Sequence, residues 1–109
     1  MLKGVRRLLK QHGFDTVPFE TAKALRNHGN FDQAFCIVLD VNLGDGLGIE
    51  LRHQLLEAGI DLPVIYITGN DSDATRMAAM ASGCFAYLTK PFTAQSLMEP
   101  IERAAATFA

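Results

Sequence analysis

Apolar and polar positions along this chain follow two alternating periods. Over residues 1–12, Leu2, Val5, Leu8 and Leu9 form one stripe, with Arg6, Arg7 and Lys10 off it. This predicts an amphipathic helix ended by His12-Gly13. Val17 and Phe19 alternate within Phe14–Phe19, a short strand that Pro18 assigns to a sheet edge. Thr21 caps a second helix, which runs to about His28 and closes at Gly29. Phe35–Asp40 is an apolar run that stops on a carboxylate, the pattern of a strand buried on both faces. A helix follows from about Leu47 to Ala58, with Leu51 and Leu55 one turn apart and Gly59 as terminator. Leu62–Thr68 is the next buried strand, and Gly69-Asn70-Asp71-Ser72-Asp73 turns the chain. A helix with Met77, Ala78 and Ala81 inward then ends at Gly83. The strand Phe85–Thr89 runs into Lys90-Pro91-Phe92, and Thr93 opens a last helix.

Strands that alternate with helices in this way predict right-handed crossovers and an α/β, doubly wound parallel sheet. Such a sheet brings its strand ends to one edge, where ligands and chemistry sit. The predicted strand ends carry Asp40, Thr68 and Lys90-Pro91. A carboxylate, a hydroxyl and an ammonium in register suit phosphoryl-group chemistry. The carboxylate would be the nucleophile, and the other two would hold phosphoryl oxygens. The plain alternative is an Asp–Lys ion pair beside a capping threonine. It suffices for any one residue, but not for three at one edge.

Composition narrows the rest. The 109 residues, 49% hydrophobic and 20% charged, suit one domain with a filled core, here taken as 1–109. A net charge of −2 gives no basic excess for nucleic acid or an anionic membrane, and no apolar run approaches membrane-spanning length. Cys36 and Cys84 lack metal-type spacing and read as reduced core residues, which fits a cytoplasmic protein. His12, His28 and His53 fall singly on helices, as structural or solvated side chains. The glycines at 44, 46 and 48 match no nucleotide fingerprint, which argues against a small α/β enzyme or nucleotide binder.

Three segments resemble the receiver domain of two-component response regulators. Asp40-Val41-Asn42-Leu43 followed by Gly48-Ile49-Glu50-Leu51 is similar to that family's phosphoacceptor strand and loop. Val64–Gly69 resembles the segment carrying its switch hydroxyl, and Gly83–Phe92 its lysine segment. The resemblance covers the whole chain and implies a flavodoxin-like receiver fold. It also implies that Asp40 takes a phosphoryl group from a phosphohistidine on a sensor histidine kinase. Thr68 and Lys90 would contact phosphoryl oxygens, and Asn42 would offer its backbone carbonyl, with Asp40, to Mg²⁺. Tyr87 matches the switch aromatic that turns inward with Thr68, and Pro91 the proline after a cis Lys–Pro bond. The texture is most similar to receivers that precede helix-turn-helix output domains, so the product would be a switched surface.

The sequence also departs from that family. The first, central strand and the acidic pair at its end are absent, so the reading is of an N-terminally shortened receiver. Asp15 and Glu20 flank the edge strand, and Asp45, Asp71 and Asp73 sit in loops; none replaces the pair. Mg²⁺ binding should therefore be weak, which raises the alternative of a phosphorylation-independent interaction module. The missing strand should leave a gap of ~9–10 Å between Phe14–Phe19 and Phe35–Asp40, favouring a homodimer or strand-exchanged dimer. Gly44, where the family often has proline, should loosen the phosphoacceptor loop. Pro100 inside the last helix should kink the face that the family often uses to dimerise.

Overall fold

A computed structural model of the chain describes residues 3–107 other than 20, 30, 44 and 45. Helix α1 spans Lys3–Gln11 and α2 Ala22–Arg26, the latter capped by Thr21, whose hydroxyl accepts from the Ala24 amide. Strand β1 is Ile37–Asp40, followed by a short antiparallel pair, β2 (Asn42–Leu43) and β3 (Gly46–Leu47). Helix α3 is Gly48–Glu57, β4 Val64–Thr68, α4 Asp73–Ala81, β5 Ala86–Thr89 and α5 Ala94–Thr107. Gly13, Gly29, Gly59 and Gly83 all adopt positive φ where the sequence places helix ends, and each lets the chain leave its helix without a Cβ clash.

The main sheet has the order β1-β4-β5 and is parallel throughout. Side-chain alternation divides the core in two. On one face, Leu39, Val64 and Tyr66 pack with Leu25 of α2, Leu51 and Leu55 of α3, and Ala79 of α4. On the other, Ile65 and Ile67 pack with Val5 and Leu9 of α1 and Leu97, Met98 and Ile101 of α5. All five residues of β4 are buried because the strand has helices above and below it and a strand on each side. The fold is the flavodoxin-like α/β architecture read from the sequence.

The structure corrects the sequence reading in several places. Residues 14–19 form no strand, and no ladder joins them to β1. An extended segment becomes a strand only beside a partner backbone. Here the segment is held by side chains instead: the Phe14 ring lies 5.5 Å from that of Phe35, and the Phe19 ring 5.0 Å from that of His28. Consequently the outer edge of β1 has no strand partner among the described residues. The Ile37 and Val41 amides bond to Pro63 and Ile67 of the β4 side, so the intervening Val38 and Asp40 backbone groups point outward.

Helix α4 is also rotated from its expected setting. Met77 is 72% exposed and Met80 54%, while Ala79 is fully buried and Ser82 nearly so. Ala78 and Ala81 are exposed as well. A small residue lets the helix approach the sheet closely, and the flexible methionines are left outside. Cys36 and Cys84 are half-buried free thiols at the core margin, not strand residues. Burial pushes the Cys36 thiol up to about 11. Pro100 is buried within α5, which runs on through it. Gly44 and Asp45, expected to form a loose loop, lie outside the described residues, as does Glu20.

Candidate functional site

The site lies where β1, β4 and β5 end together. Asp40 is the last residue of β1, opposite Ile67, and Thr68 of β4 is opposite Thr89 of β5. Asp40 is only 8% exposed. Its Oδ1 accepts the Asn42 amide at 3.1 Å, and its Oδ2 accepts the Lys90 ammonium at 3.3 Å. These two bonds use one oxygen each and fix the carboxylate plane. Gly48, at the start of α3, comes up close behind: a Cβ there would stand 2.5 Å from the Asp40 carbonyl oxygen. The Gly48 amide donates to the Val41 carbonyl at 2.8 Å, which locks this approach.

Thr68 is fully buried, and its hydroxyl accepts the Asn70 amide at 3.0 Å. The Lys90 amide donates to the Thr68 carbonyl at 2.8 Å, so the strand ends carrying the hydroxyl and the ammonium are tied by backbone. The Lys90–Pro91 bond is cis. The Lys90 side chain passes over Gly69, its Cδ at ordinary van der Waals distance, 3.7 Å, from where a Cβ would stand. A partly exposed ammonium beside a fixed, nearly buried carboxylate gives a nucleophilic oxygen and a counter-cation for an incoming anion.

Tyr87 is not turned in towards Thr68. Its hydroxyl donates to Asp71 Oδ1 at 2.9 Å, in the loop after β4. Asp71 Oδ2 accepts Arg76 Nη2 at 2.8 Å, and the Arg76 guanidinium lies 5.1 Å from the Tyr87 ring centroid. Arg76, and then Tyr87, hold the Asp71 carboxyl below the usual carboxylate range. Asp71, read above as a turn residue, thus has two partners in other elements.

Two polar groups in the core escaped the sequence reading. Arg52 of α3 is 6% exposed; it donates to the Leu62 carbonyl at 2.8 Å and pairs with Asp61 at 3.4 Å. Its Nε is buried with no partner among the described residues. Tyr66 is fully buried and bonds Ser82 Oγ at 2.9 Å. Ser82 in turn donates its one proton to the Ala79 carbonyl at 2.6 Å, so Tyr66 is the donor in the pair. Arginine at a predicted helix surface gives no sign of burial, but a tyrosine inside an unbroken apolar strand does call for a buried partner.

No group of three or more His, Cys, Asp or Glu side chains placed to hold a metal occurs among the described residues. Asp40 is one carboxylate, already engaged by Lys90 and the Asn42 amide. Asp15 is exposed, and Asp71 is committed to Arg76 and Tyr87. Mg²⁺ prefers six oxygens in a near-octahedral shell with carboxylate charge to offset its own. The donor set described here does not fit a firmly bound Mg²⁺.

Comparison with known proteins gives the family of the fold. The family model for the response regulator receiver domain matches residues 1–102. Response regulator protein TodT of Pseudomonas putida is 28% identical over 104 residues, which are 95% of this chain and 46% of TodT. Among solved structures, the response regulator StyR is 33% identical with a TM-score of 0.84, over 94% of this chain and 52% of that one. The BeF3-activated receiver domain of DrrB is 28% identical with a TM-score of 0.84, over 96% and 87%. The chain spans less than half the length of curated relatives such as TodT and nodulation protein W of Bradyrhizobium diazoefficiens. No described helix is long and apolar enough to cross a membrane. On the match along residues 1–102 and the shared sheet, this chain belongs to the response regulator receiver domains of two-component systems.

Proposed function

We propose that Asp40 accepts a phosphoryl group from a phosphohistidine of a sensor histidine kinase, and that the chain then presents an altered surface to an output partner. In the transfer, an Asp40 oxygen forms a bond to phosphorus while the P–N bond breaks, and the electron pair of that bond returns to the imidazole. The observation that carries this reading is the 3.3 Å contact between Asp40 and Lys90, which sets a nucleophile and a counter-cation at one strand-end edge. Lys90 meets one phosphoryl oxygen and Thr68 another, and Tyr87 responds to Thr68. The role is regulatory: the chain is a phosphoacceptor that is switched, not an enzyme with a turned-over product.

The whole of 1–109 works as one such unit, in the cytoplasm where its kinase acts, without touching nucleic acid or membrane itself. A helix-turn-helix output domain outside this chain is the partner that its texture suggests. A second copy is a further partner, drawn to the open edge of β1.

A second reading is a phosphorylation-independent interaction module. The single engaged carboxylate at the site favours it, because phosphoryl transfer in this family draws on Mg²⁺. Beryllofluoride with Mg²⁺, an aspartyl-phosphate mimic, separates the two. Saturable binding that disappears in Asp40→Ala supports the phosphoacceptor. No binding by a folded chain refutes the phosphoacceptor and leaves the module.

A further inference from the structure

Asp71, Arg76 and Tyr87 close a ring of contacts between the loop after β4, helix α4 and strand β5. Each carboxylate oxygen of Asp71 has a different partner: Oδ1 the Tyr87 hydroxyl at 2.9 Å, Oδ2 Arg76 Nη2 at 2.8 Å. The guanidinium also lies against the tyrosine ring, 5.1 Å from its centroid. Every member therefore touches both others, so moving one costs two contacts. An isolated surface ion pair has no such closure.

The placement matters because of what lies beneath. Along β4, Tyr66 and Thr68 face the same side of the sheet, and Tyr87 is the register partner of Tyr66. A Tyr87 ring that swings inward moves along this face towards Thr68. The loop that would have to accommodate it begins at Thr68, whose hydroxyl already holds the Asn70 amide. Asp71 is the next residue of that loop. One short segment is thus held at its root by the Thr68 hydroxyl and at its middle by Tyr87.

We propose that Asp71 and Arg76 form a clamp that holds Tyr87 outward, an autoinhibitory contact that sets how readily the Asp40 site is switched. This rests on the phosphoacceptor reading above. The clamp exists only in the outward state, so by linkage it opposes any ligand that favours the inward one. Burial raises the Tyr87 phenol, and its contact with Asp71 raises it further, so it remains a donor at neutral pH. The Asp71 carboxyl is held low and remains charged. Asp71 and Arg76 are exposed and Tyr87 is only partly buried, so the effect is modest. Releasing the clamp should strengthen beryllofluoride binding by roughly two- to fivefold, the range for an exposed charged contact.

The chain has two tyrosines, Tyr66 and Tyr87, so 3-fluorotyrosine labelling yields two fluorine signals. Tyr66 is sealed in the core and serves as the internal reference. Spectra of the full chain, Asp71→Ala, Asp71→Asn and Arg76→Met would be recorded, followed by titration with beryllofluoride and Mg²⁺. The Tyr87 signal should move in Asp71→Ala with Tyr66 unchanged, and the midpoint should fall two- to fivefold. Asp71→Asn, which keeps one acceptor oxygen, and Arg76→Met should lie between. A Tyr87 signal indifferent to Asp71→Ala overturns the clamp. A Tyr87 signal that moves with an unchanged midpoint overturns its inhibitory role. Failure of every form to bind beryllofluoride overturns the phosphoacceptor reading, and the inhibitory role with it, while the fluorine spectra still decide the clamp.

Discussion

Lys90 reaches Asp40 across the edge of the sheet, Nζ to Oδ2 at 3.3 Å, although 50 residues separate them and β4 lies between their strands. The pair is asymmetric: the lysine side chain is 40% exposed and the aspartate 11%. An ammonium that retains this much water can turn to a new anion without being pulled from the core.

Replacing it separates stability from binding. Lys90→Ala should change unfolding free energy by no more than about 1 kcal/mol, because a half-hydrated ion pair contributes little. Beryllofluoride binding should weaken about tenfold or more, as a charge-assisted contact to the anion is lost. Urea unfolding and a beryllofluoride titration, run on the same sample, check both. Equal losses in the two would mean that Lys90 is structural.

Gly48 should tolerate no side chain. Its Cβ would meet the Asp40 carbonyl oxygen at 2.5 Å, and backbone cannot rotate away as a side chain would. Gly48→Ala should cost about 1–3 kcal/mol, typical of overpacking, and should displace the Asp40 carboxylate as well. Gly4→Ala is the control: nothing lies within 4 Å of its Cβ, and alanine in a helix should stabilise by about 0.5–1 kcal/mol. Denaturant midpoints of the two variants should move in opposite directions.

The Tyr66–Ser82 bond should respond unequally to its two truncations. Tyr66→Phe leaves Ser82 bonded to the Ala79 carbonyl and should cost about 0.5–1.5 kcal/mol. Ser82→Ala leaves a fully buried phenol hydroxyl with no acceptor and should cost about 1–3 kcal/mol. The reverse order in thermal unfolding would show that the tyrosine finds another partner.

Cys36 predicts an alkaline loss of stability. Its thiol is pushed from 9.0 to about 11 by burial, so the folded state favours the neutral form. Below pH 9 neither state is ionised and the contribution is complete. As pH rises through 9 towards 11 the unfolded chain ionises first, and stability falls by roughly 2 kcal/mol. Cys36→Ala should flatten this slope between pH 8.5 and 11, leaving what Cys84, Tyr66 and Tyr87, which burial also raises, contribute. A slope unchanged by the substitution would assign the loss to other groups.

The sequence made legible whatever depends on strand ends and helix ends. Asp40, Thr68 and Lys90 could be placed at one edge because the topology follows from the alternation of elements. The terminating glycines located the helices. Helix rotation was less legible: α4 offered both methionines and alanines for burial, and hydrophobicity favours methionine, whereas close approach to the sheet selects Ala79. The Asp71–Arg76–Tyr87 ring was invisible for a related reason. It joins three elements, and no local pattern ties an acidic turn residue to a tyrosine 16 positions later. The supposed strand at 14–19 failed because alternation marks what could pair, not whether a partner is there.

The outer edge of β1 gives the amides of that strand two kinds of surroundings in strict succession. Ile37 and Val41 donate into the ladder with the β4 side, whereas Val38 and Asp40 turn away from it. In deuterated water such a strand labels like a comb, with odd positions protected and even positions open, instead of fading from its ends. Any chain that docked along this edge would fill in the open teeth and leave the rest of the pattern unchanged.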